Sequence, residues 1–258
     1  MSPVIILLVE VVAFWPVWPW WVSRLTGEEL TTGPLALLVL GALLFRRAEN
    51  PGPPPLRLLA TLLVLSALTH HLLPPLLRGA LAFTTLAITL SWWRRSTLLH
   101  VPTWGLAMLA LPVMPSLQFF LGHPLRALSA ALAVPLLRMA GLDVTREGTT
   151  LTWESTQVWV DAPCSGLRML WTGLFLAFIL ADVLGLDRRR SVVLVALSLG
   201  AVVVGNAWRA STLFYLETGL VTGPEWLHQG VGVVVFMATC ALIALVGWRV
   251  RPCAWRPS

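Results

Sequence analysis

An all-α polytopic membrane protein of about eight transmembrane helices is the fold class the sequence predicts, and three observations predict it. Of its 258 residues, 57% are hydrophobic and only 12% are charged, about half the charge of a typical soluble domain. Mean hydropathy is +0.80, and apolar runs recur along the whole length rather than in one core-sized block. Apart from histidine, every basic residue is an arginine, and the arginines stand in short clusters between those runs, the arrangement that orients helices in a bilayer. The same pattern excludes a nucleic-acid partner, which the net charge of +6 and pI near 10.8 would otherwise suggest. No separate soluble domain fits either, because the longest non-hydrophobic stretch, near 141–163, is too short to build a core.

A spanning helix takes about 20 apolar residues. Reading apolar runs between polar breaks gives spans at 3–22, 30–45, 56–73, 79–93, 97–121, 164–184, 191–208 and 228–248. The first has no small-residue cleavage site behind it and is read as a retained helix rather than a cleaved leader. The second and fourth are short and need a thinned bilayer or snorkelling arginines. Pro51-Gly-Pro-Pro-Pro55 breaks the chain between the second and third. Trp15, Trp18, Trp20, Trp21, Trp92 and Trp93 supply interfacial anchors.

Arginine placement orients this layout. With the N-terminus in the cytoplasm, Arg46, Arg47 and Arg57 share one inner loop, Arg94 and Arg95 the next, and Arg188, Arg189 and Arg190 the third. Arg249, Arg251 and Arg256 lie on a cytoplasmic tail, and the outer side keeps only isolated residues such as Arg24, Arg78, Arg126 and Arg146. The bias places both termini in the cytoplasm and the chain in the cytoplasmic (inner) membrane. The expected organisation is a single integral membrane domain, 1–258. It comprises N-terminal helices 1–121, an extracytoplasmic insertion 122–163, helices carrying the candidate chemistry at 164–248, and a cytoplasmic tail 249–258. Within the insertion, 123–140 reads as a short amphipathic helix lying in the interface with Arg126 and Arg138 on its wet side. After Gly141, β-branched alternation around Arg146-Glu-Gly148 and over 156–160 predicts a small β-hairpin.

The hairpin leads into Asp161-Ala-Pro-Cys164-Ser-Gly-Leu-Arg168, where an extended strand becomes the sixth span. A cysteine at a helix N-terminus meets the positive dipole end and unpaired backbone N–H groups, which favour thiolate. Arg168, one turn on, adds positive charge. Locally, a small buried cysteine is the commoner use of such a residue. Gly205-Asn206-Ala-Trp-Arg209 ends the seventh span on the same outer side; Arg209 either snorkels to headgroups or serves a site, with Asn206 three residues before it to orient the guanidinium. Pro224-Glu-Trp-Leu-His228 opens the eighth span there, and His228 suits a general acid or base as well as a structural role. His70, His71, His100 and His123 have no nucleophile beside them in sequence. Cys164, Cys240 and Cys253 show neither a disulfide framework nor metal-ligand spacing, so no metal and no cofactor are expected. Cys164, Arg209 and His228 together offer a nucleophile, an oxyanion donor and a proton shuttle, as thiol acyl transfer requires.

Asp161-Ala-Pro-Cys164-Ser-Gly166, Asn206-Ala-Trp-Arg209, and His228 followed by Gly230 together resemble the exosortase/archaeosortase family. So does the stretch Gln118…Pro124-Leu…Gly141-Leu-Asp-Val-Thr-Arg-Glu-Gly148, and the likeness covers about residues 115–245. The resemblance implies a membrane-embedded cysteine transpeptidase, analogous to sortase but unrelated in fold. It implies exported substrates with a C-terminal sorting signal: a short motif of the Pro-Glu-Pro (PEP-CTERM) type, a transmembrane helix and a basic tail. It makes Cys164 the nucleophile, Arg209 the transition-state stabiliser and His228 the acid/base; Arg168 and Asn206 are added from local position. The alternatives are a non-catalytic membrane protein that binds sorting signals or assists polysaccharide or protein export, and another membrane hydrolase. A transporter would show internal repeats or midplane charges, and an intramembrane protease would place paired groups at one depth; neither pattern is present.

Overall fold

The computed structural model describes residues 2–25, 29–43, 52–160, 166–224 and 226–251. Helices dominate, and one small sheet interrupts them. The chain forms two compact units, Met1–Val113 and Met114–Ser258.

The first unit contains α1 (Pro3–Ala13), α2 (Val17–Arg24), α3 (Glu29–Leu43), α4 (Leu56–Thr69), α5 (Pro75–Arg95) and α6 (Val101–Leu109). α5 is its centre: α1, α2, α4 and α6 all pack on it, and α3 packs on α6. The expected span 3–22 is two helices bent by 76°. Pro16 lies at the break, where its missing N–H stops the hydrogen-bond ladder from continuing. Arg94, expected in a cytoplasmic loop, is instead fully buried in the last turn of α5. Its Nε donates to the Leu43 carbonyl at 3.0 Å, and its Nη1 donates to Thr103 Oγ1 at 3.0 Å. A guanidinium thus occupies an end carbonyl of α3 that has no intrahelical partner. On the same helix, Thr89 donates to the buried Glu10 carboxyl of α1.

The second unit contains α7 (Met114–Met139), a three-stranded antiparallel sheet, α8 (Leu167–Val183), α9 (Arg188–Glu217) and α10 (Trp226–Val250). Here two expectations are corrected. The span 97–121 is not one helix: α6 stops at Leu109, and Pro112, which cannot donate and disfavours a helical residue before it, separates α6 from α7. The separate interfacial helix 123–140 is not present either; those residues are the later part of the continuous, 26-residue α7, which holds Pro124 and Pro135 internally. Ser129, Ala130, Ala133 and Leu137 form its buried stripe. Arg138, expected on the wet side, is exposed and donates from Nε to the Val144 carbonyl at 3.0 Å.

The hairpin is a sheet with one strand more than expected: β1 (Thr145–Glu147), β2 (Thr150–Trp153) and β3 (Thr156–Trp159), in that order. Thr145 pairs with Thr152, and Trp153 with Thr156. Both connections are two-residue turns whose first residue has positive φ, 60° at Gly148 and 53° at Glu154, as tight turns between twisted strands require. Val144, Leu151 and Val160 then pack with Ala130, Ala133 and Leu137 of α7 and Ala210 and Phe214 of α9.

Among the described residues four helices, α5, α7, α9 and α10, are long and apolar enough to cross a membrane, or five segments if the bent α1–α2 pair is counted as one. Eight spans were expected. The stretches 30–45 and 56–73 contain shorter apolar helices. α8 has 17 residues, about 26 Å at 1.5 Å per residue, against the roughly 30 Å of a hydrocarbon core.

Candidate active site

α8, α9 and α10 run antiparallel through tight turns. Gly185, in the left-handed region at φ 61°, closes α8, with the Leu186 N–H reaching the Ala181 carbonyl at 2.9 Å. Asp187 then caps α9, accepting from the Arg190 N–H at 2.8 Å. At the far end of α9, Gly219 (φ 74°) makes the reverse turn, and the Val221 N–H donates to the Tyr215 carbonyl at 3.0 Å. The start of α8, the end of α9 and the start of α10 therefore share one end of this unit. Arg168 stands at the start of α8 and His228 at the start of α10, but Asn206 and Arg209, expected at the end of their span, lie inside α9, which continues eight residues past Arg209 to Glu217.

The start of α8 is locked to α9 by a backbone approach that only glycine allows. Gly166 is the N-cap of α8, at φ 74°, and a Cβ there would stand 2.8 Å from Asn206 Cγ. Asn206 is buried, and its Nδ2 donates to Ser129 Oγ of α7 at 2.7 Å. Ser129 in turn donates to the Leu125 carbonyl at 2.9 Å. Three helices are thus tied together at the Asn206 amide, and the glycine after the candidate nucleophile packs on it. Beside this knot lies a small cleft between α7, α8 and α9, with apolar walls that include Leu125, Leu128, Leu170 and Val202. Cys164 itself, with Asp161, Ala162, Pro163 and Ser165, lies outside the described residues. The described helix begins at Leu167, so Arg168 sits in its first turn, exposed.

Arg209 lies one turn beyond Asn206 on α9 and turns to α10. The position a Cβ would take at Gly232 is 3.4 Å from Arg209 Nε. Gly205 likewise abuts Thr239 of α10, so small residues on both helices let the guanidinium lie close against α10. Gly232 is one helical turn from His228, and Arg209 and His228 therefore address adjacent turns of the same helix.

His228 has a neighbour that sequence reasoning missed. Its Nε2 lies 3.4 Å from Glu217 Oε1, both side chains being about half exposed (47% and 52%). One signal was available. Glu217 falls in the last turn of α9, where the helix dipole disfavours a carboxylate, so an acid there calls for a cationic partner. The other histidines have different surroundings: His70 shares a hydrogen bond with Arg78 at 3.3 Å, and His100 Nδ1 shares one with Thr103 at 2.8 Å. Among the described residues no group of three or more His, Cys, Asp or Glu side chains is arranged to hold a metal ion.

No curated protein and no solved structure matches this chain. A protein-family model does: that of the transmembrane exosortases, over residues 20–245. The matched stretch takes in helices of both units and each of the three segments gathered at the end of the second. On that coverage the protein is a multi-pass membrane protein belonging to the transmembrane exosortase family.

Proposed function

We propose that the protein is a cysteine transpeptidase or protease that cleaves C-terminal sorting signals of exported proteins at the outer face of the cytoplasmic membrane, through a thioester on Cys164. The observation that carries this reading is the closure of α8, α9 and α10 at one end. There Gly166, two residues after Cys164, packs on Asn206, and Arg209 and His228 address neighbouring turns of α10. Gly166 and Asn206, forty residues apart in sequence, meet there, and a nucleophile, an oxyanion donor and a proton carrier need to share such a neighbourhood. The arginine bias toward the opposite loops supports an outward-facing site with both termini inside, even with Arg94 removed from the count of loop charges.

In this mechanism a substrate helix approaches sideways through lipid. The Cys164 thiolate attacks the scissile carbonyl carbon, and the charge moving onto its oxygen is met by the Arg209 guanidinium. Exposed Arg168 contributes positive potential to the thiolate. As the C–N bond breaks, the His228 imidazolium gives its proton to the leaving amine, and the helix and basic tail depart. An amine or water then attacks the thioester, His228 takes the attacking group's proton, and the thiolate is released. The partners implied are the sorting signal and an acceptor nucleophile.

The test is co-expression with a reporter ending in a Pro-Glu-Pro-type motif, a transmembrane helix and a basic tail. The wild-type chain is expected to shift the reporter's mass, and Cys164→Ala to abolish the shift while leaving membrane insertion intact. Continued cleavage by the alanine variant would sink the assignment. Mass analysis of the new terminus separates hydrolysis from transfer. Capture of the intact reporter without any shift would instead identify a binding protein.

A further inference from the structure

The Glu217–His228 pair has no place in the mechanism above, and its geometry gives it one. Each member stands where its own helix opposes its charge: Glu217 in the C-terminal turn of α9, His228 in the N-terminal turn of α10. Helix dipoles favour the reverse placement, so both ends are less favourable alone than together. The turn between them is built to bring them close, since Gly219 at φ 74° and the Val221-to-Tyr215 bond fold the chain back at once. The contact is made by Nε2, at 3.4 Å from Glu217 Oε1.

We infer that Glu217 is a positioning residue for His228. It holds the ring with Nε2 toward its carboxylate, leaves Nδ1 to exchange protons with the reacting groups, and balances the imidazolium that precedes proton delivery. The inference rests on the proposed thioester reaction and deepens it. A base oriented by a third group is the general form of an activated nucleophile's machinery. A histidine left to rotate, half exposed at a helix start, would present either nitrogen or neither. The pair also differs from the other described contacts of the site end, which fix backbone or amide groups: Asn206 to Ser129, and Gly166 against Asn206.

The experiment is a cycle of variants in the full chain, in membranes, read by the initial rate of Cys164-dependent reporter processing. Glu217→Gln is expected to lower the maximal rate about tenfold, part of the roughly 10²–10⁴ that acid–base catalysis supplies, with little change in the reporter concentration giving half-maximal rate. Glu217→Asp should recover most of the loss. In a His228→Gln background, Glu217→Gln should cost nothing further, because its effect runs through the ring. An equal loss in both backgrounds would assign Glu217 to general structure and overturn the inference, as would a wild-type rate in Glu217→Gln.

A second readout does not depend on turnover. With ¹⁵N-labelled histidine in nanodiscs, the ring nitrogens of His228, assigned by loss of signal in His228→Gln, should move on Glu217→Gln while those of the other four histidines stay fixed. An unmoved His228 signal overturns the pair itself. A chain that processes no reporter while the signal still responds overturns the proposed reaction, and with it the positioning role, but not the contact.

Discussion

Arg94 and Glu10 in the first unit and the charges at the site end of the second are held in opposite ways; the second unit buries a carboxylate as well, Asp182, near the other end of α8. In the first, Arg94 is wholly buried and spends its hydrogen bonds on a backbone carbonyl and a threonine, and Glu10 is buried against Thr89. In the second, Arg168 is exposed in the first turn of α8, and Glu217 and His228 face each other half exposed at the two sides of one turn. Burying a charge is unfavourable unless it is fully paired, so the first arrangement fixes helices at the expense of reactivity. The half-exposed charges of Glu217 and His228 stay hydrated and reachable. Under the proposed function the first unit serves as scaffold and the second as the part that meets substrate.

Exchanging the loss between the two units is the strongest way to break this comparison. His228→Gln is expected to lower reporter processing by about 10² or more, while thermal unfolding in detergent stays within about 0.5 kcal/mol of wild type, as for most exposed substitutions. Arg94→Ala should do the reverse. Removing two hydrogen bonds to a charged group and orphaning the Leu43 carbonyl costs about 3 kcal/mol or more, seen as a lowered unfolding midpoint and less protein in the membrane fraction. The protein that does fold should retain its rate per molecule. A destabilised His228→Gln, or a stable but inactive Arg94→Ala, would reverse the roles assigned to the two regions.

How far this division was legible in the sequence depends on what terminates each helix. α8 and α10 fall close to their expected positions, with Gly185 and Asp187 before α9 and Gly219 and Pro224 before α10 as strong signals, whereas α9 runs nine residues past its expected end at 208, to Glu217. The expected span 97–121 and helix 123–140 differ from α6 and α7 because hydropathy is summed across Pro112, while Pro124 looks like a helix start and is tolerated inside α7. Arg94 was counted as a loop charge because nothing local distinguishes a snorkelling arginine from one that meets a carbonyl fifty-one residues away. The packing of Arg209 against α10 follows from chain direction, since helices joined by short turns must alternate. Glu217 was passed over because an acid before Thr-Gly resembles an ordinary solvated loop; its meaning depends on a partner eleven residues on, across a turn. The packing of Gly166 on Asn206 was hidden for the same reason, since a glycine after a candidate nucleophile is equally compatible with a loose loop.

The smallest expected effect sharpens the comparison by separating backbone conformation from fit at the site end. Gly166 and Gly141 both occupy the left-handed region, at φ 74° and 88°. A Cβ at Gly141 would meet nothing within 4 Å, whereas one at Gly166 would stand 2.8 Å from Asn206. Gly141→Ala therefore carries only the conformational penalty, about 1 kcal/mol, and is expected to lower the unfolding midpoint slightly at an unchanged processing rate. Gly166→Ala adds steric overlap, for about 3 kcal/mol in all, and can relieve it only by shifting the start of α8 or the Asn206 amide that ties α7 to α9. Its rate should fall more than its stability predicts, because the displaced segment is the one that carries Cys164. If the two alanine variants behaved alike, the contact with Asn206 would be incidental, and the site end of the second unit would owe its geometry to the turns alone.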